Sequence, residues 1–213
     1  MGQRIAVIDY GMGNLHSVAK AIEHVAARGD RVRVTDDPGL ILNADRVVFP
    51  GQGAARDCMA AISQHHLNRA VLEAAAGRPF LGICMGLQVL LEFSEENEGT
   101  DLLGLLPGRV RFFGLQHGDD GVALKIPHMG WNQVHQARAH PLWAGIPEDS
   151  RFYFVHSYYV DPRDPGLITG TTDYGVTFTS VLARENLFAV QFHPEKSADH
   201  GLRLLANFVA WQP

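Results

Sequence analysis

The stretch Phe80-Leu81-Gly82-Ile83-Cys84-Met85-Gly86-Leu87-Gln88 constrains the fold more than any other part of the chain. An apolar run ends at Cys84, and a helical pattern follows at once, with Leu87, Leu90 and Leu91 on one face. Gly82 and Gly86 flank the cysteine two positions to either side, the G-x-nucleophile-x-G spacing of a sharp strand-to-helix turn. Such a turn forces the nucleophile into a strained backbone conformation, and side chains at the two glycine positions would clash. It lifts the sulfur above a sheet and sets it at a helix start, where free N–H groups and the helix dipole favour thiolate. The N–H of Met85 then points to where an oxyanion would form. On this motif alone, a packing cysteine between two unrelated glycines is the other reading.

The residues before it supply the sheet. Residues 4–9 are rich in Ile and Val and read as a short buried strand. Tyr10-Gly11-Met12-Gly13-Asn14 is a turn with Asn14 as N-cap, and Leu15, Val18, Ala19, Ile22, Val25 and Ala26 mark a helix face that runs to about Gly29. The third glycine of G-x-G-x-x-G is replaced by His16, so no nucleotide cofactor is expected. Residues 31–34 and 46–49 read as further strands, separated by the turn Asp36-Asp37-Pro38-Gly39. The third strand runs into Pro50-Gly51-Gln52-Gly53, whose glycines let the backbone approach a ligand and turn its N–H groups inward. Ligands of parallel α/β sheets bind at the carboxyl ends of strands, the edge this loop shares with Cys84. Cys58, in the next helical stretch, reads as packing. Residues 67–76 are helical and Gly77 stops them.

Past Phe93 the acidic segment 94–100 reads as a solvated connection, and the texture then changes to short strands at 109–113, 131–134, 151–155, 167–172, 176–182 and 187–191. Asp173-Tyr174-Gly175 is a hairpin turn, and a last helix from about Ser197 buries Leu202, Leu205, Ala206 and Val209. With 46% hydrophobic residues, the 213 residues suffice for one large domain, expected to span 1–213. A net charge of −5 without a long basic run excludes nucleic acid as a natural partner. No apolar run is long enough for a bilayer, and the start carries no signal-peptide core. Two cysteines, without a C-x-x-C pair, fit a reducing cytoplasm. The eleven histidines show no zinc-ligand spacing, so no metal is expected.

The second half of a catalytic set stands at the end of the 187–191 strand. His193-Pro194-Glu195 puts a base at the same sheet edge, with Glu195 two residues on to bond the far imidazole nitrogen. Nucleophile, base and orienter follow the triad logic of hydrolases. Read from the residues alone, a cysteine hydrolase or protease and a non-catalytic binding module with retained residues both stay open.

Together these motifs resemble the class I (triad) glutamine amidotransferases, through Pro50-Gly51-Gln52-Gly53, Gly82-Ile83-Cys84-Met85-Gly86 with Gln88, and His193-Pro194-Glu195. Asp9-Tyr10-Gly11-Met12-Gly13-Asn14, Pro127-His128-Met129-Gly130-Trp131-Asn132 and Tyr153-Phe154-Val155-His156-Ser157-Tyr158-Tyr159 are similar to the histidine-biosynthesis branch of that family. The resemblance implies a flavodoxin-like α/β fold, a mixed but mostly parallel sheet with helices on both faces. It implies glutamine hydrolysis by Cys84, His193 and Glu195, with oxyanion donors at Gln52 and Met85. Substrate contacts fall to Gly51, Gly53, Gln88, His156, Ser157 and Tyr158. The implied partner is a separate (βα)8-barrel cyclase that consumes the ammonia in making imidazole glycerol phosphate, approached by Tyr10, Met12, Asn14, Trp131 and Lys196. No cofactor is implied. Gln52 departs from the family pattern, where a small apolar residue is usual.

Overall fold

Strand β1 (Arg4–Ile8) has no polar face beyond its first residue: Ile5 and Val7 enter one core cluster, Ala6 and Ile8 the other. A strand buried on both sides needs helices above and below it, which is the logic of a parallel α/β sheet. The computed structural model, which describes residues 2–118 and 121–213, has that architecture. Helix α1 (Leu15–Val25) leads to β2 (Arg31–Thr35), α2 (Pro38–Leu42) to β3 (Arg46–Gly51), and α3 (Ala55–Gln64) with α4 (Asn68–Gly77) to β4 (Phe80–Cys84). After α5 (Met85–Gln88) come the short β5 (Phe93–Ser94) and β6 (Thr100–Asp101), then β7 (Gly108–Phe112), β8 (His128–Gln133), β9 (Arg151–His156) and β10 (Tyr158–Pro162). The chain closes with β11 (Ile168–Asp173), β12 (Thr177–Arg184), β13 (Leu187–Val190) and α6 (Ala198–Ala210).

The main sheet runs β2-β1-β3-β4-β13-β12-β10-β7-β5-β6, with β11 beside β12 and a separate antiparallel pair β8-β9. From β2 to β13 every pairing is parallel, and from β13 to β7 every pairing is antiparallel. Helices α1 and α6 cover one face, packing Ile22, Leu204, Leu205 and Phe208 among the aromatics of β9 and β12. Helices α2, α3 and α4 cover the other with Ile41, Ile62 and Val71. Each such side chain contributes about 1.5–3 kcal/mol on burial. Buried Arg46, at the start of β3, donates to the Gln3 side chain and the Trp211 carbonyl, tying the amino end of the sheet to the C-terminal tail.

Several local expectations are corrected. The helix after Cys84 lasts only four residues, because Val89 to Leu91 continue in turns, although Leu87, Leu90 and Leu91 are buried as the spacing predicts. Helix α1 stops at Val25, where Ala26 turns extended. Asp37 does not close a turn but caps α2, its Oδ1 accepting from the N–H of Gly39 at 2.7 Å and of Leu40 at 3.3 Å. Gly77 is the last residue of α4 and not its stop. Leu202 and Ala206 are only half-buried, and Leu204 and Phe208 fill the core in their place.

Candidate active site

Three neighbouring parallel strands deliver the three parts of the site. In register, Gly51 of β3 lies opposite Cys84 of β4, and Val190 of β13 opposite Ile83. Their carboxyl ends therefore place the glycine loop, the cysteine and the histidine on one edge of the sheet. Cys84 takes φ 56° and ψ −111°, a conformation that L-residues populate only under strain. The flanking glycines are obligatory there: a Cβ on Gly86 would lie 1.8 Å from the Phe49 carbonyl oxygen, and one on Gly82 2.7 Å from that of Gly86.

His193 is held by its backbone. Its N–H donates to the Tyr153 carbonyl at 2.9 Å, and its own carbonyl accepts the Ser197 hydroxyl at 2.6 Å. The ring Nδ1 meets Glu195 Oε1 at 2.9 Å, with the two side chains only 6% and 1% exposed. Nε2 is buried without a hydrogen bond to any described group. Burial by itself would lower this imidazole; Cys84 beside it and the Glu195 carboxylate outweigh burial and push it up to about 10. The ring is thus an imidazolium at neutral pH, poised between an anion that orients it and a sulfur to which it can give or from which it can take a proton.

A cavity of about 420 Å³ opens at this edge, lined by Gln52, Gly53, Cys84, Met85, Gln88, His156, Ser157, Tyr158, His193 and Lys196, with Glu96, Pro127 and Val155. Gly51 lies just beneath, buried against Tyr10 and Met85. A larger cavity of about 880 Å³ at the opposite, amino end of the sheet is lined by Gln3, Arg4, Asp45 and Arg46; it holds no cysteine, serine, threonine or histidine, and its carboxylate, Asp45, is engaged by Arg4, so the smaller one is the candidate site. Gln88 is buried, its Nε2 donating to the Tyr158 carbonyl and to Gln191 Oε1, each at 3.0 Å. His156 donates from Nδ1 to the Tyr158 carbonyl at 2.8 Å, which leaves Nε2 to accept from His128 Nδ1 at 2.9 Å. His128 Nε2 in turn accepts from Asn132 at 3.2 Å. Both rings are neutral, since burial pushes His156 down to about 3 and His128 to about 4. With both nitrogens of His156 engaged, that residue serves the cavity by its backbone and by wall packing.

The glycine loop leans on helix α3. Gln52 is exposed, but its carbonyl accepts from Cys58 Sγ at 3.4 Å, and Gly53 takes φ +97°. Cys58 is fully buried, and burial pushes its thiol up to about 11, consistent with packing. Tyr10 is a correction: it is 0% exposed, with its hydroxyl 3.9 Å from Cys58 Sγ, so it supports the loop from below and presents nothing to a partner. Met12 is half-buried, with Cε 2.8 Å from where a Cβ on Gly53 would stand. Asn14 caps α1 as its position implies, accepting from Ser17 N–H at 3.4 Å. Trp131 remains 48% exposed and packs edge-on to Tyr153, whose ring also carries the Lys196 ammonium 6.0 Å from its centre.

Glu96 is a second correction. The acidic connection folds inward, and Glu96 Oε2 accepts from the Ala55 N–H at 2.7 Å, capping a helix whose own N-cap residue, Ala54, cannot. It also brings a carboxylate to the cavity wall. Gln191, His128 and Glu96 are the site residues that sequence reasoning passed over. Among the described residues, one cluster could offer three metal ligands, the exposed His135, Glu148 and Asp149, and none of them lines the cavity. Among the same residues, no helix is long and apolar enough to cross a membrane.

The family model for glutamine amidotransferase class-I matches residues 6–211. Imidazole glycerol phosphate synthase subunit HisH 1 of Pseudomonas aeruginosa is 61% identical over 211 residues, covering 99% of this chain and 98% of its own. The HisH subunit of Nitrosococcus oceani is 60% identical over 207 residues, with 97% of each chain covered. Among solved structures, PurLQS from Thermotoga maritima superposes with a TM-score of 0.70 at 17% identity over 99% of both chains. The glutaminase domain of a Trypanosoma brucei CTPS, with bound acivicin, gives 0.65 at 18% identity over 99% of this chain and 95% of that one. These two likenesses speak for the fold.

Proposed function

The chain belongs to the class-I glutamine amidotransferase family, and from that premise we propose that it is the glutaminase subunit of an imidazole glycerol phosphate synthase, hydrolysing glutamine for a cyclase partner in histidine biosynthesis. The observation that carries the reading is the buried His193–Glu195 pair at 2.9 Å, set beside an elbow cysteine at the end of the adjacent strand. The Cys84 thiolate attacks the side-chain carbonyl carbon of glutamine. The carbonyl electrons move to oxygen, which the N–H groups of Met85 and Gln52 stabilise. As the C–N bond breaks, His193 Nε2–H gives its proton to nitrogen and ammonia leaves. The glutamyl thioester remains. Neutral His193 then takes a proton from water, hydroxide adds to the thioester, the C–S bond breaks as Cys84 regains its thiolate, and the new γ-carboxyl group loses its proton to solvent as glutamate departs.

Gln88, Gly51, Gly53, Ser157, Tyr158 and the backbone at His156 position the substrate, and the Glu96 carboxylate suits its α-ammonium. The partner is a cyclase subunit of (βα)8-barrel form, met by Met12, Asn14, Trp131 and Lys196. Residues 1–213 act as one domain, working in the cytoplasm. The test uses the complex of this chain with its cyclase. Cys84→Ala should abolish imidazole glycerol phosphate synthesis from glutamine and preserve synthesis from free ammonia. Loss of both in an intact complex would refute the division of labour.

A further inference from the structure

Gln191 lies one residue past β13 and two before His193, is 0% exposed, and has no part in the steps above. Its backbone N–H donates to the Ser180 carbonyl at 2.8 Å, so the neighbouring strand β12 fixes its place. Its side chain bridges two residues of the site. Oε1 accepts from Gln88 Nε2 at 3.0 Å, and Nε2 donates to Cys84 Sγ at 3.8 Å.

The polarity of this bridge follows from its far end. The Tyr158 carbonyl can only accept, and it takes one proton of Gln88 Nε2 at 3.0 Å, so the Gln88 amide cannot be turned over. The second proton of the same nitrogen meets Gln191, which must therefore present Oε1. Its own N–H groups are left facing the sulfur. A thiolate is an acceptor only, so the order is consistent from both ends, and a donor aimed at an anionic acceptor makes the stronger kind of hydrogen bond. Gln88 spends both protons inside the protein. Its Oε1 is the atom left for the cavity, and it fits a donor on the substrate, such as an ammonium or an amide nitrogen.

We propose that Gln191 is a positioning residue that ties the nucleophile to the substrate-recognition amide: one N–H holds the Cys84 thiolate, and the carbonyl locks Gln88 with its oxygen toward the substrate. It acts through Cys84 and Gln88 and touches no substrate itself. The choice of substrate rests on the glutaminase reading; the bridge to the sulfur does not.

The test is the side-chain amide spectrum of the full chain labelled with ¹⁵N. The Gln191 and Gln88 signals are identified by their loss in Gln191→Met and Gln88→Met. In Cys84→Ala the Gln191 amide protons should shift, and those of Gln88 should follow. A Gln191 amide that stays in place when the sulfur is removed overturns the proposal. In addition, folded Gln191→Met, similar in volume but without hydrogen-bonding groups, should be alkylated at Cys84 by iodoacetamide about tenfold more slowly at neutral pH. An unchanged rate would equally overturn it, and if that variant does not fold, the Cys84→Ala spectrum decides alone. Shifted amides in a chain whose unsubstituted form turns over no glutamine even in complex with its cyclase would sink the glutaminase reading and leave the bridge standing.

Discussion

At the scale of single residues, two cysteines of one chain stand in opposite chemical situations. Cys84 faces an imidazolium and an amide donor in an open cavity, whereas Cys58 is sealed beneath a loop with its thiol pushed up to about 11. Brief iodoacetamide treatment at neutral pH, followed by peptide mapping, should label Cys84 and leave Cys58 untouched; equal labelling would contradict the site as described. Buried histidines give a second prediction, on acid stability. His156 and His128 titrate near 3 and near 4 when folded, and His140, lowered by burial and by Arg138, near 4. Unfolded, each takes up its proton near 6.5, so their contribution to stability is complete above that pH and is lost as pH falls through the window below it. Raised His193 acts at the other end, losing its contribution only as pH climbs toward 10, and does not blur this window. Each histidine costs up to about 1.4 kcal/mol per pH unit. The urea midpoint should therefore drop between pH 6.5 and pH 5, above the carboxylate range, and drop less in His128→Gln. A flat midpoint over that interval would remove the neutral-pair assignment.

Which of these residues can be read in the sequence depends on punctuation. Cys84 is framed by two glycines and His193 is followed by proline, so local spacing exposes them. Gln191 sits in an apolar run and reads as a blemish, because its partners are 103 and 107 residues away. Glu96 hides in an acidic stretch, since the N–H it caps is 41 residues distant. Elements behave likewise. Strands β1, β3 and β4 are legible because both faces are apolar, whereas α5 is not: after one turn its leucines are buried by turns that mimic helical spacing. The elbow itself is an element-scale device, and two glycines separate its demands from those of an ordinary helix. Gly86→Ala drives a methyl to 1.8 Å from the rigid Phe49 carbonyl, so the turn must shift. It should cost about 1–3 kcal/mol or more and abolish glutaminase activity. Gly77→Ala meets nothing within 4 Å in the last turn of α4, and should raise the melting temperature slightly, by about 0.4–1 kcal/mol of added stability, with activity unchanged. Thermal melts of the two variants check the contrast, and a harmless Gly86→Ala would mean that the elbow has slack.

At the scale of the whole molecule, the cavity opens where the chain is least finished. Trp131 is half-exposed, Met129 is 61% exposed, and Lys196 reaches from the cavity wall across Tyr153 to the same surface. Of the two oxyanion donors proposed above, the Met85 N–H belongs to the fixed elbow; that of Gln52 belongs to a loop held from below by the Cys58–carbonyl bond and flanked by glycines that turn easily. Met12, in the turn proposed to meet the partner, has its Cε 2.8 Å from where a Cβ on Gly53 of that loop would stand. A partner that seats on this surface thus has mechanical access to one of two donors, and a missing donor costs on the order of 10²–10³ in rate. The energy for any rearrangement must come from the partner's preference for one loop conformation. The outcome expected is that the subunit alone hydrolyses glutamine slowly, that cyclase raises the rate, and that cyclase loaded with its nucleotide raises it most, by about 10²–10³ over the subunit alone. Met12→Ala should shrink that last step while leaving the unpartnered rate of the subunit nearly unchanged, since it removes the contact between the turn and the loop and touches neither Cys84 nor His193. Steady-state glutamate release from the three assemblies, with and without this substitution, is the measurement. Full activity in the isolated subunit would end the gating argument, and it would leave the Cys84, His193 and Glu195 chemistry as it stands.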